Sequence, residues 1–186
     1  MPRATSDKRT RLIEAAGRLT HQRGFSKTTL ADIADEAGVP LGNVYYYFKT
    51  KDEIGSAIVG ERMAEFRQFV DSVRGDPPRE RLLKFVELSA VQSKSVAESG
   101  CPIGSLCQEL NKEQGAALSA EASQILKDIL GWMREQFQSI GGGDASGHAL
   151  HLLSVLQGAA IVANSFGDPK LLRRETSRLA AWIKQL

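Results

Sequence analysis

The sequence is short of the features that mark several classes of protein. Two cysteines in 186 residues cannot form a disulfide framework. Six prolines and 17 glycines exclude collagen-like and proline-rich chains. The first residues, Met-Pro-Arg-Ala-Thr-Ser-Asp-Lys-Arg-Thr-Arg, carry charge with no apolar stretch behind them, so no secretory signal is expected. The most apolar run, residues 152–166, is broken by Gln157 and Asn164 and is shorter than the roughly 20 residues of a membrane span, so no membrane association is expected. Strand signals are missing too: no segment alternates cleanly, and no Asn-Gly or Asp-Gly hairpin turn occurs. There is no Gly-x-Ser-x-Gly elbow, phosphate loop or His-Glu-x-x-His run, and no nucleophile–base pair, so an enzyme is not expected.

The chain does have enough residues, 42% of them hydrophobic, to bury a core without metals or cross-links. The net charge of +2 is uninformative, but residues 1–50 hold eight Lys/Arg against five acids, +3, and the remainder is −1. A basic first quarter on a neutral body suggests a nucleic-acid-facing module joined to a part with another task, all in the cytoplasm.

Helical spacing runs through almost the whole sequence, so the fold class is all-α with about nine helices. Leu12, Ala16 and Leu19 mark a first helix stopped by Gly24. Leu30, Ile33, Ala34 and Ala37 mark a short second one stopped by Gly38, and Val39-Pro40 opens a third through about Phe48. A capping box at Thr50 and Glu53 starts a long fourth helix, ended by Gly75-Asp76-Pro77-Pro78. A fifth is expected over about 79–96, a sixth to about Asn111, and a seventh from Leu118 to Ile140. A flexible link follows at Gly141-Gly142-Gly143, then an eighth helix over about 145–165 and a ninth to the end.

The informative stretch is residues 28–48. Two short helices around a glycine turn form a helix-turn-helix. Gly38 supplies the positive φ of the corner, and Ala34 is small where the helices cross. Ile33, Ala37, Val39 and Val44 point inward. Thr28 or Thr29 caps the first helix and leaves backbone N–H groups suited to a phosphate. The second helix would then lie in the DNA major groove.

The run TTLADIADEAGVPLGNVYYYFKTKDEI, preceded by IEAAGRLTHQRGFSKTT, resembles the tetracycline-repressor (TetR) family of transcriptional regulators, strongly over residues 7–60. The resemblance implies a three-helix DNA-binding domain at 1–50 and a helical ligand-binding and dimerisation domain at 51–186. It implies a homodimer on a palindromic double-stranded operator, a repressor released by a small-molecule effector, with no cofactor or metal. It makes residues 41–48 the recognition helix. Asn43 falls where the family often has Thr or Asn, and asparagine can read adenine. Tyr45, Tyr46 and Tyr47 match aromatic or His positions whose hydroxyls reach phosphates. Gly42 lets the backbone approach the duplex, Lys51 matches a phosphate contact, and Phe48 is core. Pro40 and Leu41 replace the commoner Ser-Lys, and Ala31 stands where some members carry a base-reading Arg, so specificity leans on Asn43, apolar contacts and DNA shape.

In the body, the small residues Gly158 and Ala159, with Leu152, Leu156, Leu179 and Ile183, mark the last two helices as the dimer face, a four-helix bundle with the partner. Phe66, Phe69, Phe85, Leu88, Trp132, Met133 and Phe137 are candidate lining for an effector pocket or, on the plainer reading, simple core. The segment Gly100-Cys101-Pro102-Ile103-Gly104, continuing to Glu109-Leu110, resembles a run in one branch of the family that answers drugs and thiol-reactive compounds. Cys101 before a helix could be a thiol sensor, although small buried cysteines are the commoner case. Cys107 lies about 240° around the helix from Cys101, which excludes a disulfide between them on an intact helix. His148 and His151 lack matching ligands and are read as a structural pair.

Overall fold

The computed structural model describes residues 3–112, 116–141 and 143–186, with the side chains of residues 3–6 and 116 left aside. Gly142 of the triple-glycine link lies outside the described residues. Among them there is no strand, and ten helices occur in order: α1 (Arg3–Arg23), α2 (Leu30–Ala37), α3 (Leu41–Tyr47), α4 (Lys51–Ser72), α5 (Pro78–Val91), α6 (Ser93–Ser99), α7 (Pro102–Leu110), α8 (Ala116–Ile140), α9 (Ala145–Phe166) and α10 (Pro169–Gln185). The all-α class and the helix order agree with the sequence reading. The extra helix arises because the fifth expected one is two: Gln92, at φ −78° and ψ 0°, separates α5 from α6. The bend accompanies a tertiary contact, since buried Ser93 accepts a hydrogen bond from Arg173 Nε at 2.8 Å.

The chain forms two compact units. One comprises Met1–Glu65 with Ser105–Ile125, the other Phe66–Gly104 with Leu126–Leu186. The three chain boundaries of these units fall within α4, α7 and α8, each of which continues through its boundary without a break.

In the first unit, Leu12, Ala15 and Ala16 of α1 bury against a core that includes Phe25, Ile33, Ala34, Val44, Phe48, Ile54 and Ile58. Leu106, Leu110, Leu118, Ala122 and Ile125 of α7 and α8 are buried in the same unit. Cys107 is buried too, its thiol donating to the Ala122 carbonyl at 3.0 Å. Gly55 of α4 has no room for a side chain: a Cβ would stand 2.7 Å from Leu118 Cδ2 and 3.0 Å from Phe25 Cζ.

In the second unit, α10 packs on α9, α5 and α6, and α6 packs on α9. Val96, Ala159, Ala160, Ala163 and Leu172 form one apolar cluster there. Asn164 Nδ2 donates to the Ala97 carbonyl at 3.1 Å. Arg81 ties down the end of α4, donating to the carbonyls of Asp76 and Arg74 and to Gln136 Oε1.

Helix α9 is longer than the apolar run within it. It begins at Ala145, well before the apolar run, and is 22 residues long with a mean hydropathy of 1.4 over its most apolar stretch. By length and composition it could cross a bilayer, so the shortness of the run excludes nothing. A third of that stretch is buried within the unit.

Candidate nucleic-acid interface

Helix α2 is fixed at both ends by local chemistry. Thr29 takes extended backbone angles and its hydroxyl accepts the Asp32 N–H at 3.2 Å, while Asp32 Oδ2 accepts the Thr29 N–H at 2.8 Å, a complete capping box. The Thr29 hydroxyl also donates to Asp32 Oδ2 at 2.6 Å, and Arg23 Nη2 lies 2.7 Å from the same oxygen. These donors, the Thr29 hydroxyl foremost, hold the Asp32 carboxyl down at a pKa of about 2. At the other end Gly38 is left-handed, φ 61°, and the N–H groups of Gly38 and Val39 close on the carbonyls of Asp35 and Ala34. That turn aims α3 across α2, with Ile33, Ala34, Ala37, Val39 and Val44 buried, as the spacing predicts.

Helix α3 buries one face and exposes the other. Val44 is fully buried and Phe48 follows it inward, with Arg9 over the Phe48 ring at 5.3 Å. On the open side, Tyr46 is 71% exposed, Tyr45 49% and Leu41 41%, while Gly42 is exposed with nothing within 4 Å of where its Cβ would be. Asn43 and Tyr47 are half-buried, and the Tyr46 and Tyr47 rings meet edge to face at 5.0 Å. Lys49 Nζ donates to the Tyr45 carbonyl at 2.7 Å, closing the end of α3 with a positive charge. Exposed Lys27 and Thr29 stand at the entrance to α2. The structure thus gathers Thr29, Leu41, Gly42, Asn43 and the three tyrosines on one short helix pair.

One expected contact falls elsewhere. Thr28 is only 1% exposed, and its hydroxyl donates to the Gly24 carbonyl at 2.8 Å; it serves the corner and is not open to a phosphate. Lys51 Nζ donates to the Ser26 carbonyl at 3.0 Å in an exposed bond and lies 4.5 Å from the Phe25 ring centroid.

The body residues sort differently from expectation. Phe66, Phe69, Phe85 and Trp132 pack against one another with centroids 5.5–6.4 Å apart, filling space with each other. Phe137 belongs to a second cluster with His148 and Trp182, Met133 is fully buried, and Leu88 is exposed. In the expected dimer face, Leu152, Leu156, Ala159, Leu179 and Ile183 are buried in the chain's own core, leaving only Gly158 open. The open side of α9 carries Leu150, Ile161, Val162 and Phe166 instead. His148 and His151 both pack on Trp182, and no cluster of three or more potential metal ligands occurs among the described residues.

Sequence reasoning missed Glu109, whose carboxylate in α7 accepts the Phe25 N–H at the corner between α1 and α2. Its signal was in the Glu-Leu that ends the Gly-Cys-x-x-Gly run.

Comparison with known proteins agrees with this geometry. The family model described as "Bacterial regulatory proteins, tetR family" matches residues 12–58. The chain is 47% identical over 51 residues to the transcriptional regulator TtgR of Pseudomonas putida, covering 27% of this chain and 24% of that protein. It is 37% identical over 71 residues to the transcriptional repressor KstR2 of Rhodococcus jostii, 36% of this chain and 35% of that one. The matched segments thus span about a quarter to a third of these curated relatives. Whole-chain likeness comes from a putative TetR-type regulator of Streptomyces avermitilis, 30% identical with TM-score 0.73, covering 95% of this chain and 98% of that one. A TetR regulatory protein of Rhodobacter sphaeroides has the same fold, with TM-score 0.81 at 22% identity, covering 93% of this chain and 97% of that one.

Proposed function

The chain belongs to the TetR family of bacterial regulatory proteins, and from that membership we propose that it is a DNA-binding transcriptional regulator that reads a duplex with α3. The observation that carries the proposal is the open face of α3. A seven-residue helix held by Val44 leaves Leu41, Gly42, Tyr45 and Tyr46 uncovered beside Asn43, a surface of apolar and hydroxyl groups that follows the capped helix α2. That face suits a major groove, with tyrosine hydroxyls toward phosphates and Asn43 toward a base edge. Residues 1–50 act as the DNA-binding domain and 51–186 as the sensing and pairing domain. The protein works in the cytoplasm as a repressor that a small molecule releases. Release requires the effector to bind the DNA-incompetent form more tightly than the competent one. The test is fluorescence anisotropy on duplexes enriched from a random pool at several salt concentrations. A preference for the enriched sequence, with affinity falling steeply in salt, is expected; equal and weak binding to every duplex overturns the proposal.

A palindromic operator needs two reading helices about 34–36 Å apart or a multiple of it, hence two chains. The open face of α9, with Leu150, Gly158, Ile161, Val162 and Phe166, is the surface proposed to meet the second copy. Its apolar side chains would be left in water by an isolated subunit.

Cys101 is proposed as a thiol sensor on a specific feature: its half-buried sulfur accepts from the Gly104 N–H at 3.4 Å and Gln157 Nε2 at 3.6 Å, two donors that hold it in place at the start of α7. Duplex release by an alkylating agent should be lost in Cys101→Ser. Retention of the response in that variant removes the role.

A further inference from the structure

The corner between α1 and α2 decides where the reading helix points, because α2 starts from it and α3 is braced on α2. Its internal bonds are few. Gly24 N–H closes α1 on the Thr20 carbonyl, Thr28 N–H returns to the Phe25 carbonyl, and the Thr28 hydroxyl bonds the Gly24 carbonyl. The Phe25 N–H has no acceptor within the corner, and the Glu109 carboxylate of α7 supplies one from 84 residues away. Such a bond to an ionised acceptor is stronger than one between neutral groups.

Two independent features show that the corner is shaped around this carboxylate. Gly24 stands at φ +93°, and a Cβ there would lie 2.5 Å from Glu109 Oε1 and 3.1 Å from its Cδ, so the missing side chain is the space the carboxylate occupies. Glu109 also sits in the last turn of α7, where the helix dipole disfavours a negative charge. Its place there is unfavourable for α7 alone and is accounted for by the partner it reaches.

We infer that Glu109 is a positioning residue: through its bond to the Phe25 N–H, α7 holds the α2–α3 pair in the arrangement that fits DNA, and withdrawal of that carboxylate is a route to release. The inference deepens, and rests on, the DNA-reading role of α3. Glu109 touches no duplex itself. Its loss therefore lowers sequence preference while leaving the general attraction to phosphates in place.

The experiment compares the full-length wild-type chain with Glu109→Ala and Glu109→Gln. The probes are a duplex enriched from a random pool by the wild type and a scrambled duplex of equal length, with amide exchange at Phe25 followed in parallel. In Glu109→Ala the preference for the enriched duplex should fall about tenfold, with Phe25 exchange faster by a similar factor, and scrambled-duplex affinity within about twofold of wild type. Glu109→Gln keeps an acceptor oxygen and should fall between the two; it also serves as the test if the alanine variant does not fold. Unchanged preference in both variants overturns the inference, as does a parallel loss on both duplexes. A wild type that enriches no sequence from the pool overturns instead the DNA-reading role on which the inference stands.

Discussion

The Lys51 ammonium lies 4.5 Å from the centroid of the Phe25 ring and donates to the neighbouring Ser26 carbonyl, so the charge at the start of α4 holds the corner that starts α2. A lysine serving only as a phosphate contact would be free of such partners. Lys51→Met should therefore lower unfolding free energy by about 1–2 kcal/mol, the combined scale of a charged hydrogen bond and a partly shielded cation–π contact. Urea unfolding reads this directly. A change within about 0.5 kcal/mol, the usual surface value, would return Lys51 to a purely phosphate-facing role.

Asp32 gives a pH dependence with a definite sign. Its carboxyl is held at about 2 in the folded chain against an ordinary 3.8, first by the Thr29 hydroxyl and backbone and then by Arg23. A lowered folded-state pKa means the stabilisation is complete above about 4 and is lost as the pH falls toward 2. The stability difference between wild type and Asp32→Asn should thus be constant from pH 7 to about 5 and shrink between about 4 and 2. Denaturant midpoints measured for both proteins across that range check it; a difference that does not change with pH would remove the ionised carboxylate from the cap.

The head was legible because its signals are local. Gly38, Thr29 and the spacing of Ile33, Ala34, Ala37 and Val44 each act within one or two turns, and the caps, corner and buried face agree with them. What escaped depends on partners far along the chain. Glu109 meets Phe25 across 84 residues, and Thr28 turns inward to Gly24 where capping chemistry allowed it to face out. In α9 apolar residues fall on every side of the helix, so composition cannot tell the side that packs on α6 and α10 from the side that does not. Ala159 and Leu152, which composition alone suggests as a pairing surface, are core, and Ile161 and Phe166 are the exposed residues. The aromatic residues show the same limit, since Phe66, Phe85 and Trp132 carry the same periodicity whether they line a cavity or fill one.

If the open face of α9 is the proposed pairing surface, its two faces separate folding from pairing. Ile161 is 52% exposed, and Ile161→Asp should leave helix content and unfolding free energy nearly unchanged while shifting sedimentation from dimer to monomer. Leu152 is fully buried, and Leu152→Ala should cost about 2–5 kcal/mol in stability as a core cavity. Sedimentation velocity with parallel denaturation resolves the two effects. An Ile161→Asp chain that sediments as a wild-type dimer would place the pairing surface elsewhere.

Gly42 offers a variant whose effects on fold and function run in opposite directions. It lies in the first turn of α3 with a negative φ, and nothing stands within 4 Å of a Cβ built on it. No intramolecular reason for glycine exists at this position, and glycine in a helix is worse than alanine by up to about 1 kcal/mol. Gly42→Ala should therefore raise the melting temperature slightly. If the backbone of α3 approaches a duplex here, the added methyl meets DNA, and affinity for the enriched duplex should drop about tenfold or more. A raised melting temperature in the same variant would separate weak binding at the contact face from weak binding by a destabilised head. Gain in stability with unchanged duplex affinity would mean that the open space over Gly42 faces only water, and that the contact face of α3 is carried by Tyr45 and Tyr46 alone.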